Sequence, residues 1–172
     1  MSEYKTSRCF ILDTVTYLQA TFNPLGPAGQ LIDFIKENQV SIYISGEIFN
    51  ELKSTLYKNP LWEKRGSSQT KKIEQIELFL NEILEIAEKI DPVPNKFYYP
   101  RDPKDEKIIN LAIDTESDIV TRDKDLLSFQ NPVSAEEIKE ANRLKAIAPS
   151  LSIFSPEEAL HQLTLERSVQ KY

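Results

Sequence analysis

Short apolar runs alternate with segments of helical periodicity along this chain, and this alternation restricts its fold more than any other feature. The runs at 9–12, 40–44, 118–121 and 151–154 are short, and the one at 40–44 is rich in β-branched residues, so each predicts a strand. Helical patterns separate these runs. Strands that alternate with helices favour a mostly parallel sheet with helices on both faces, so we predict an α/β fold. The order of the strands in the sheet cannot be read from this pattern.

Apolar spacing and capping residues predict where the helices lie. The predicted helices cover 14–20, 28–37, 46–57, 105–116, 135–146 and 156–163. A loop is predicted from Asn59, and the longest helix follows it. The apolar stripe of that helix consists of Ile73, Ile76, Leu80, Ile83, Ala87 and Ile90. We expect one domain at 8–165 with a helical insertion at 131–150, and flexible termini at 1–7 and 166–172.

Composition excludes several classes of protein and of site. The sequence has no apolar run of about 18 residues, so no membrane span is predicted. One cysteine cannot form an internal disulfide, which is typical of a cytoplasmic protein. A single histidine and a single cysteine also argue against zinc and iron–sulfur sites. A metal held by oxygen ligands alone would be Mg²⁺ or Mn²⁺.

Acidic residues follow the predicted strands at one edge of the sheet. Asp13 directly follows the first strand, and Asp123 and Asp125 follow the third. Asp105 opens a helix that would start at the same edge, and Glu51 lies about two turns into the helix after the second strand. Because sites in open parallel sheets form at the carboxyl ends of the strands, this edge is the candidate site.

Asp105 is the least ordinary of these residues. On a helical wheel, Ile108, Ile109 and Ala112 bracket it, which places its carboxylate on the face toward the sheet. An unpaired buried charge is costly, and several carboxylates together repel one another. A cation would compensate both costs, which is the physical case for a metal site here.

Each acidic residue also has an ordinary explanation. Asp13 and Asp123 could simply terminate strands or cap helices. Glu51 could be a solvated helix residue, and Asp105 could be favoured by the helix dipole. Their shared position at one edge of the sheet is what favours a functional site over these explanations.

Residues in this order resemble the PIN domain family over about residues 8–130. The resemblance is carried by FILDT at 10–14, SGEIFNEL at 45–52, RDPKD at 101–105 and IVTRDKDLL at 119–127. The chain looks most like bacterial PIN proteins described as toxin components of toxin–antitoxin systems. The resemblance implies a three-layer α/β/α sandwich and a Mg²⁺- or Mn²⁺-dependent ribonuclease that cuts single-stranded RNA.

The resemblance also implies roles for individual residues. It makes Asp13, Glu51 and Asp105 catalytic metal ligands. Asp123 joins them, with Asp125 as a supplementary ligand. The sequence departs from the family at Val15, where an asparagine is common, and at Arg122, where a small residue is frequent.

An RNA substrate must approach a chain whose net charge is -6, so binding requires a local basic surface. The residues expected to contact phosphates are Lys53, Arg101, Lys104, Arg122 and Lys124. The segment from Lys53 to Lys72 contains six basic residues and a single acidic one, Glu63. Tyr57 and Trp62 lie among them and are candidate rings for base stacking. An ordinary solvated surface explains that cluster equally well. An antitoxin protein and a second copy of the chain are further candidate partners.

Two other functions compete with the nuclease. An aspartyl-phosphate phosphatase would also place an Asp after the first strand, but its usual second Asp is replaced by Val15. A non-catalytic PIN-like module would bind RNA or protein without cleaving it. Cleavage that disappears in Asp13→Asn separates the nuclease from such a module.

Overall fold

The computed structural model describes residues 7–169 and contains one parallel sheet. Its strands are β1 (Phe10–Leu12), β2 (Ile42–Ile44), β3 (Ala87–Lys89), β4 (Asp118–Val120) and β5 (Ile153–Phe154). They lie in the order β3-β2-β1-β4-β5, and every neighbouring pair is parallel. The predicted α/β class is therefore confirmed.

Helices connect the strands and cover the sheet. They are α1 (Thr14–Phe22), α2 (Pro27–Asn38), α3 (Gly46–Lys58), α4 (Leu61–Lys64), α5 (Gln69–Ile86), α6 (Pro103–Thr115), α7 (Lys124–Leu127), α8 (Ala135–Ile147) and α9 (Pro156–Val169). Helix α2 packs on α1 and α9, while α3 packs on α1, α5 and α6. Helix α6 lies against β1 and β4. Because it is followed directly by β4, its first turn lies toward the carboxyl ends of these strands.

The central strands are buried on both faces of the sheet. All three residues of β1 are at most 1% exposed, and Ile119 and Val120 of β4 are 0% exposed. Successive side chains of a strand point to opposite faces, so full burial requires a helical layer on each side. This is the three-layer α/β/α sandwich that the resemblance implies.

The strand order places a topological switch point between β1 and β4. From β1 the chain proceeds to β2 and β3 on one side, and it then returns past β1 to form β4 and β5 on the other. Ligands of open α/β sheets bind where the strand order reverses, at the carboxyl ends of the strands. Asp13 follows β1 at this point, and Asp123 lies shortly after β4.

The structure corrects the sequence prediction between 59 and 90. The predicted loop contains the short helix α4, and the predicted long helix ends at Ile86. Strand β3 then begins at Ala87, which pairs with Ile42, and the Ile90 amide donates to the Ile44 carbonyl at 2.9 Å. Ala87 and Ile90 continue the helical spacing, but backbone hydrogen bonds to β2 make this segment a strand.

The outer boundaries also differ from the prediction. Helix α9 continues through Val169, beyond the domain boundary predicted at 165. Most of the termini predicted to be flexible, 1–6 and 170–172, lies outside the described residues. The segment predicted as an insertion contains α8, whose buried residue is Leu144. Across residues 7–169, no helix is both long and apolar enough to span a membrane.

Candidate active site

Asp13 lies at the junction of β1 and α1, where it caps the helix. Its Oδ1 accepts a 2.7 Å hydrogen bond from the Thr16 amide, and its Oδ2 accepts one from the Thr121 hydroxyl. The residue is only 4% exposed. Burial raises the pKa of the Asp13 carboxyl, while these hydrogen bonds act in the opposite direction. The carboxylate is therefore fixed in position at the switch point.

Thr121 connects Asp13 to Asp123, although it is not among the predicted site residues. Its hydroxyl donates to Asp13 Oδ2 and accepts from the Asp123 amide at 2.9 Å, and the residue is 0% exposed. Asp123 itself is exposed and caps α7 by accepting a 2.7 Å bond from the Asp125 amide. The signal available in sequence was a hydroxyl residue between the last apolar residue of a strand and a candidate acidic ligand.

Asp105 lies in the first turn of α6, on the buried face that the helical wheel predicts. Asp102 caps this helix, and its Oδ1 accepts from the amides of Lys104 at 2.9 Å and Asp105 at 3.3 Å. Asp105 is 4% exposed, and its Oδ2 is buried without a hydrogen-bond partner among the described residues. An orphaned buried oxygen is rare in proteins and requires an explanation.

The electrostatic environment of Asp105 shows which acidic residues the fold brings together. Burial has the largest effect on the pKa of Asp105, followed by the charges of Asp102, Asp123, Asp125 and Asp13, and together they raise it to about 7. Asp105 thus shares one region with the predicted ligands that follow β1 and β4. Asp102 joins this acidic group, although it is not among the predicted site residues.

Glu51 lies at the border of this group on α3. The helix begins after Ser45, whose hydroxyl accepts from the Ile48 amide at 3.2 Å. Asp91, which follows β3, accepts from the Gly46 amide at 3.0 and 3.1 Å and secures the same end of α3. The Glu51 carboxylate contacts the Lys104 ammonium, with 3.2 Å between Oε1 and Nζ. The carboxylate of this predicted metal ligand is therefore paired with a lysine of the protein itself.

The predicted phosphate-binding residues are placed unequally. Arg101 lies 3.7 Å from Asp125, and Lys104 contacts Glu51, so both lie at the acidic group. Lys124 is exposed in the first turn of α7, directly after Asp123.

The other two predicted phosphate contacts are directed elsewhere. The Arg122 guanidinium donates to Gln19 at 2.9 Å and to Glu157, which draws it toward α1 and α9. Lys53 lies 3.8 Å from Glu77 of α5.

Trp62 does not provide the predicted stacking surface. It is 2% exposed, and its indole N–H donates to the Leu56 carbonyl at 2.9 Å. Its ring packs edge-on against that of Phe22, with 4.9 Å between the ring centroids. The other candidate ring, Tyr57, donates its hydroxyl to Glu77. Both rings belong to the packing around α3, α4 and α5, and the stacking prediction for Trp62 is wrong because that side chain is buried.

The donor chemistry of the site fits a hard divalent cation. Every candidate ligand is a carboxylate, and Mg²⁺ and Mn²⁺ prefer oxygen ligands. The orphaned Oδ2 of Asp105 and the neighbouring negative charges are what such an ion would compensate. In residues 7–169, however, no three Asp, Glu, His or Cys side chains are arranged to hold an ion as they stand. Loading would therefore require side chains to move.

Comparison with known families agrees with this geometry. A family model described as PIN domain matches residues 10–125, a span that includes β1, β4 and the acidic residues of the site. The chain belongs to the PIN domain family. PIN domains are generally nucleases, so this is a nuclease-type fold.

A relative extends the comparison to an archaeal protein. The uncharacterized protein MJ1680 of Methanocaldococcus jannaschii is 30% identical over 121 residues, which are 70% of this chain and 74% of the relative. This PIN domain is thus similar to a protein whose name describes no activity. No solved structure matches the chain.

Proposed function

We propose that this PIN domain is a divalent-metal-dependent endoribonuclease that hydrolyses phosphodiester bonds of single-stranded RNA. One observation carries the proposal: Asp105 Oδ2 is buried without a hydrogen-bond partner in the described chain, among the charges of other aspartates. A structural aspartate would be expected to find a donor, whereas a metal ligand lacks its partner until the ion binds.

The acidic residues divide into direct and supporting ligands. Asp13, Asp105 and Asp123 would hold a Mg²⁺ or Mn²⁺ ion, and Glu51 and Asp125 would complete the set. When bound, such an ion lowers the pKa of a water molecule and stabilises the leaving oxygen of the phosphodiester.

The protein's own residues would position these groups and move the proton. Thr121 orients the Asp13 carboxylate through its hydroxyl and holds the Asp123 backbone through the same atom. Proton transfer would fall to carboxylates, because the single histidine, His161, lies exposed on α9.

Basic side chains beside the acidic group would receive the RNA backbone. Arg101, Lys104 and Lys124 lie in or next to the first turns of α6 and α7, where the site opens. With a net charge of -6 over the whole chain, such a local cluster is what would attract a polyanion.

Cleavage of end-labelled RNA by purified protein tests the proposal. A single-stranded oligonucleotide and a hairpin of matched composition should be incubated with Mg²⁺, Mn²⁺ or EDTA. We expect metal-dependent cleavage of the single strand, reduced at least about 100-fold in Asp13→Asn and Asp105→Asn, since loss of outer ligand contacts alone costs about 10- to 100-fold. The matched control is Asp33→Asn, an exposed aspartate on α2, which should retain full activity.

Failure to cleave would identify the alternative. A protein that binds single-stranded RNA without cutting it under any metal condition would be a non-catalytic PIN-like module. Two observations favour that candidate: Lys104 occupies Glu51, and Val15 stands where the family commonly has asparagine.

A toxin role is the finer form of the proposal. Induced expression in a bacterial host should stop growth for the wild type and leave growth unchanged for Asp13→Asn. An antitoxin partner would then be sought by its ability to restore growth, and a homodimer by light scattering of the purified protein. Growth that is unaffected by an active nuclease would contradict the toxin role and leave the nuclease proposal intact.

A further inference from the structure

Two ion pairs connect α3 to α6 beside the acidic site. Glu51 Oε1 lies 3.2 Å from Lys104 Nζ, and Glu47 Oε1 lies 3.6 Å from Lys107 Nζ. The two glutamates are four residues apart and lie on one face of α3. The two lysines are three residues apart and lie on one face of α6. The two contacts are alike in chemistry, but only Glu51 is among the proposed metal ligands.

The Glu51–Lys104 pair is unequal in its exposure to solvent. The side chain of Glu51 is 30% exposed, whereas that of Lys104 is 74% exposed. A strongly hydrated ammonium on a flexible stem can leave such a contact for water at little cost. Glu51 is confined to the border of the site because its helix is secured at Ser45 and Gly46.

Lys104 is also held beside the site through its backbone. Its amide donates to Asp102 at 2.9 Å, and the next residue in the chain is Asp105. A lysine side chain released from Glu51 therefore stays attached to the helix turn that carries the buried aspartate.

We propose that Lys104 is a displaceable counterion of Glu51, which a divalent cation must replace before Glu51 can act as a ligand. The proposal rests on the proposed function, since it takes Glu51 to be a metal ligand. In the metal-free protein the ammonium neutralises the glutamate. With an ion bound, Glu51 would be a ligand in place of an ion-pair partner, and the freed ammonium would be available to a substrate phosphate.

Competition of this kind has a measurable sign. Removing the Lys104 charge should tighten metal binding, because the ion no longer has to displace a partner from Glu51. Every loss of a nearby positive charge has some effect in this direction, so the same change at Lys107 is the matched control. Lys107 lies on the same helix and pairs with a glutamate outside the proposed ligand set.

Calorimetric titration of the full chain with Mn²⁺ alone, without RNA, tests the proposal. We expect Lys104→Met to bind Mn²⁺ about two- to fivefold more tightly than wild type, the range that corresponds to an exposed ion pair, and more tightly than Lys107→Met. Lys104→Arg retains the counterion and should return the affinity toward the wild-type value. Thermal unfolding of each variant shows that it is folded.

A double-mutant cycle separates the effect of the Glu51–Lys104 contact from the general effect of removing a nearby positive charge. In a Glu51→Gln background, Lys104→Met should change Mn²⁺ affinity no more than Lys107→Met does. Equal effects of the two lysine substitutions in the wild-type background would overturn the counterion role, as would an undiminished Lys104 effect in the Glu51→Gln background.

The same titration separates failure of this proposal from failure of the proposed function. Wild-type protein that binds Mn²⁺ and loses binding in Asp105→Asn supports the metal site, whatever the lysine variants do. Wild-type protein that binds no Mn²⁺ would overturn the metal site and the counterion together.

Discussion

Asp105 has two opposing effects on the molecule. Its burial among other carboxylates prepares a place for a cation, and the same burial makes its ionised form unfavourable when no cation is present. Functional sites commonly accept such a cost in stability, because a ligand offsets it on binding. The stability of the metal-free protein should therefore depend on pH through this one side chain.

The direction of that dependence follows from proton binding in the two states. Unfolded Asp105 ionises near its ordinary pKa of 3.8, and folded Asp105 near 7. Between these values the folded state holds a proton that the unfolded state has released, so the free energy of unfolding falls as the pH rises. The full loss is present above the folded pKa.

Urea unfolding in EDTA at pH 5 and pH 8 measures this effect. Wild type should lose more stability than Asp105→Asn between these two pH values, and saturating Mg²⁺ should restore wild type at pH 8 but not the variant. Asp13, whose pKa is also raised, contributes in the same direction to both proteins. An identical pH dependence in wild type and Asp105→Asn would contradict the assignment.

Thr121 gives a second prediction at the scale of one residue. Thr121→Val keeps the shape of the side chain but leaves Asp13 Oδ2 and the Asp123 amide without their shared partner. We expect metal affinity and RNA cleavage to fall about 10- to 100-fold, as for residues that orient metal ligands elsewhere. Calorimetry with Mn²⁺ and the cleavage assay measure both quantities.

The control for this prediction retains the hydroxyl. Thr121→Ser should keep most of the wild-type affinity, because its oxygen can make the same two hydrogen bonds. If Val and Ser behave alike, Thr121 is a packing residue and the proposed orienting role is wrong.

At the scale of single residues, the sequence predicted the positions of the acidic side chains better than their surroundings. Asp13 and Asp123 were found because strand ends can be read from apolar runs, and Asp105 because helical periodicity shows which face is buried. The contacts of Thr121 and the pairing of Glu51 with Lys104 join segments distant in sequence. No local pattern encodes such contacts.

At the scale of elements, α4 and its tryptophan determine what the basic segment after α3 can do. Trp62 is the single tryptophan of the chain and is enclosed by Leu56 and Phe22. Its fluorescence should be blue-shifted, weakly quenched by acrylamide and unchanged by saturating single-stranded RNA. Protein in concentrated urea supplies the exposed reference. Strong quenching by RNA would show that the ring contacts bases after all.

Trp62 should instead contribute to stability. Trp62→Ala removes a large buried side chain and its hydrogen bond to the Leu56 carbonyl, so we expect a loss of about 3–5 kcal/mol in the free energy of unfolding. Urea unfolding monitored by circular dichroism measures this loss. Metal affinity of the folded fraction should remain that of wild type; a selective loss of metal binding with little destabilisation would contradict this prediction.

Strand β3 shows where prediction of elements from sequence fails. Its residues Ala87, Glu88 and Lys89 continue the helical pattern and include no β-branched side chain. The strand exists because β2 offers an unpaired edge, and its three residues pair with Ile42, Tyr43 and Ile44. Pairing between segments overrides local propensity in such short elements.

At the scale of the whole molecule, Arg8 connects the start of the described chain to β4 and to the last helix. Its guanidinium contacts Asp118 at 2.7 Å, at the start of β4, and Glu166 at 2.9 Å, near the end of α9. Asp118 is 8% exposed and also accepts from the Ser152 amide at 2.8 Å. One side chain thus connects the beginning of the sheet to the last helix.

Removal of Arg8 should destabilise the fold without harming the site. Arg8→Ala leaves a buried carboxylate with one partner fewer, so we expect a loss of about 1–3 kcal/mol in the free energy of unfolding. Lys36→Ala breaks a pair with Glu82 in which both carboxylate and ammonium stay partly exposed, so it should cost at most about 1 kcal/mol. Urea unfolding compares the two variants. Equal costs would mean that the Arg8 contacts behave as ordinary surface pairs.

The global architecture was the most predictable level. Alternation of strands and helices was enough to predict a parallel sheet with helices on both faces, because few other arrangements bury strands as apolar as β1. The strand order was not predictable, since it depends on where α6 returns the chain across the sheet. That return creates the switch point at which Asp13 and Asp123 meet.

The Arg8 contacts also indicate where a label or support can be attached to the molecule. Arg8 precedes β1, Asp118 begins β4 and Glu166 lies near the end of α9, so both ends of the described chain lie at the amino edge of the sheet. The acidic site occupies the carboxyl edge. A solid support or fluorescent label attached beside Arg8 or Glu166 would therefore leave the opposite edge open to solution, ready for an incoming polymer.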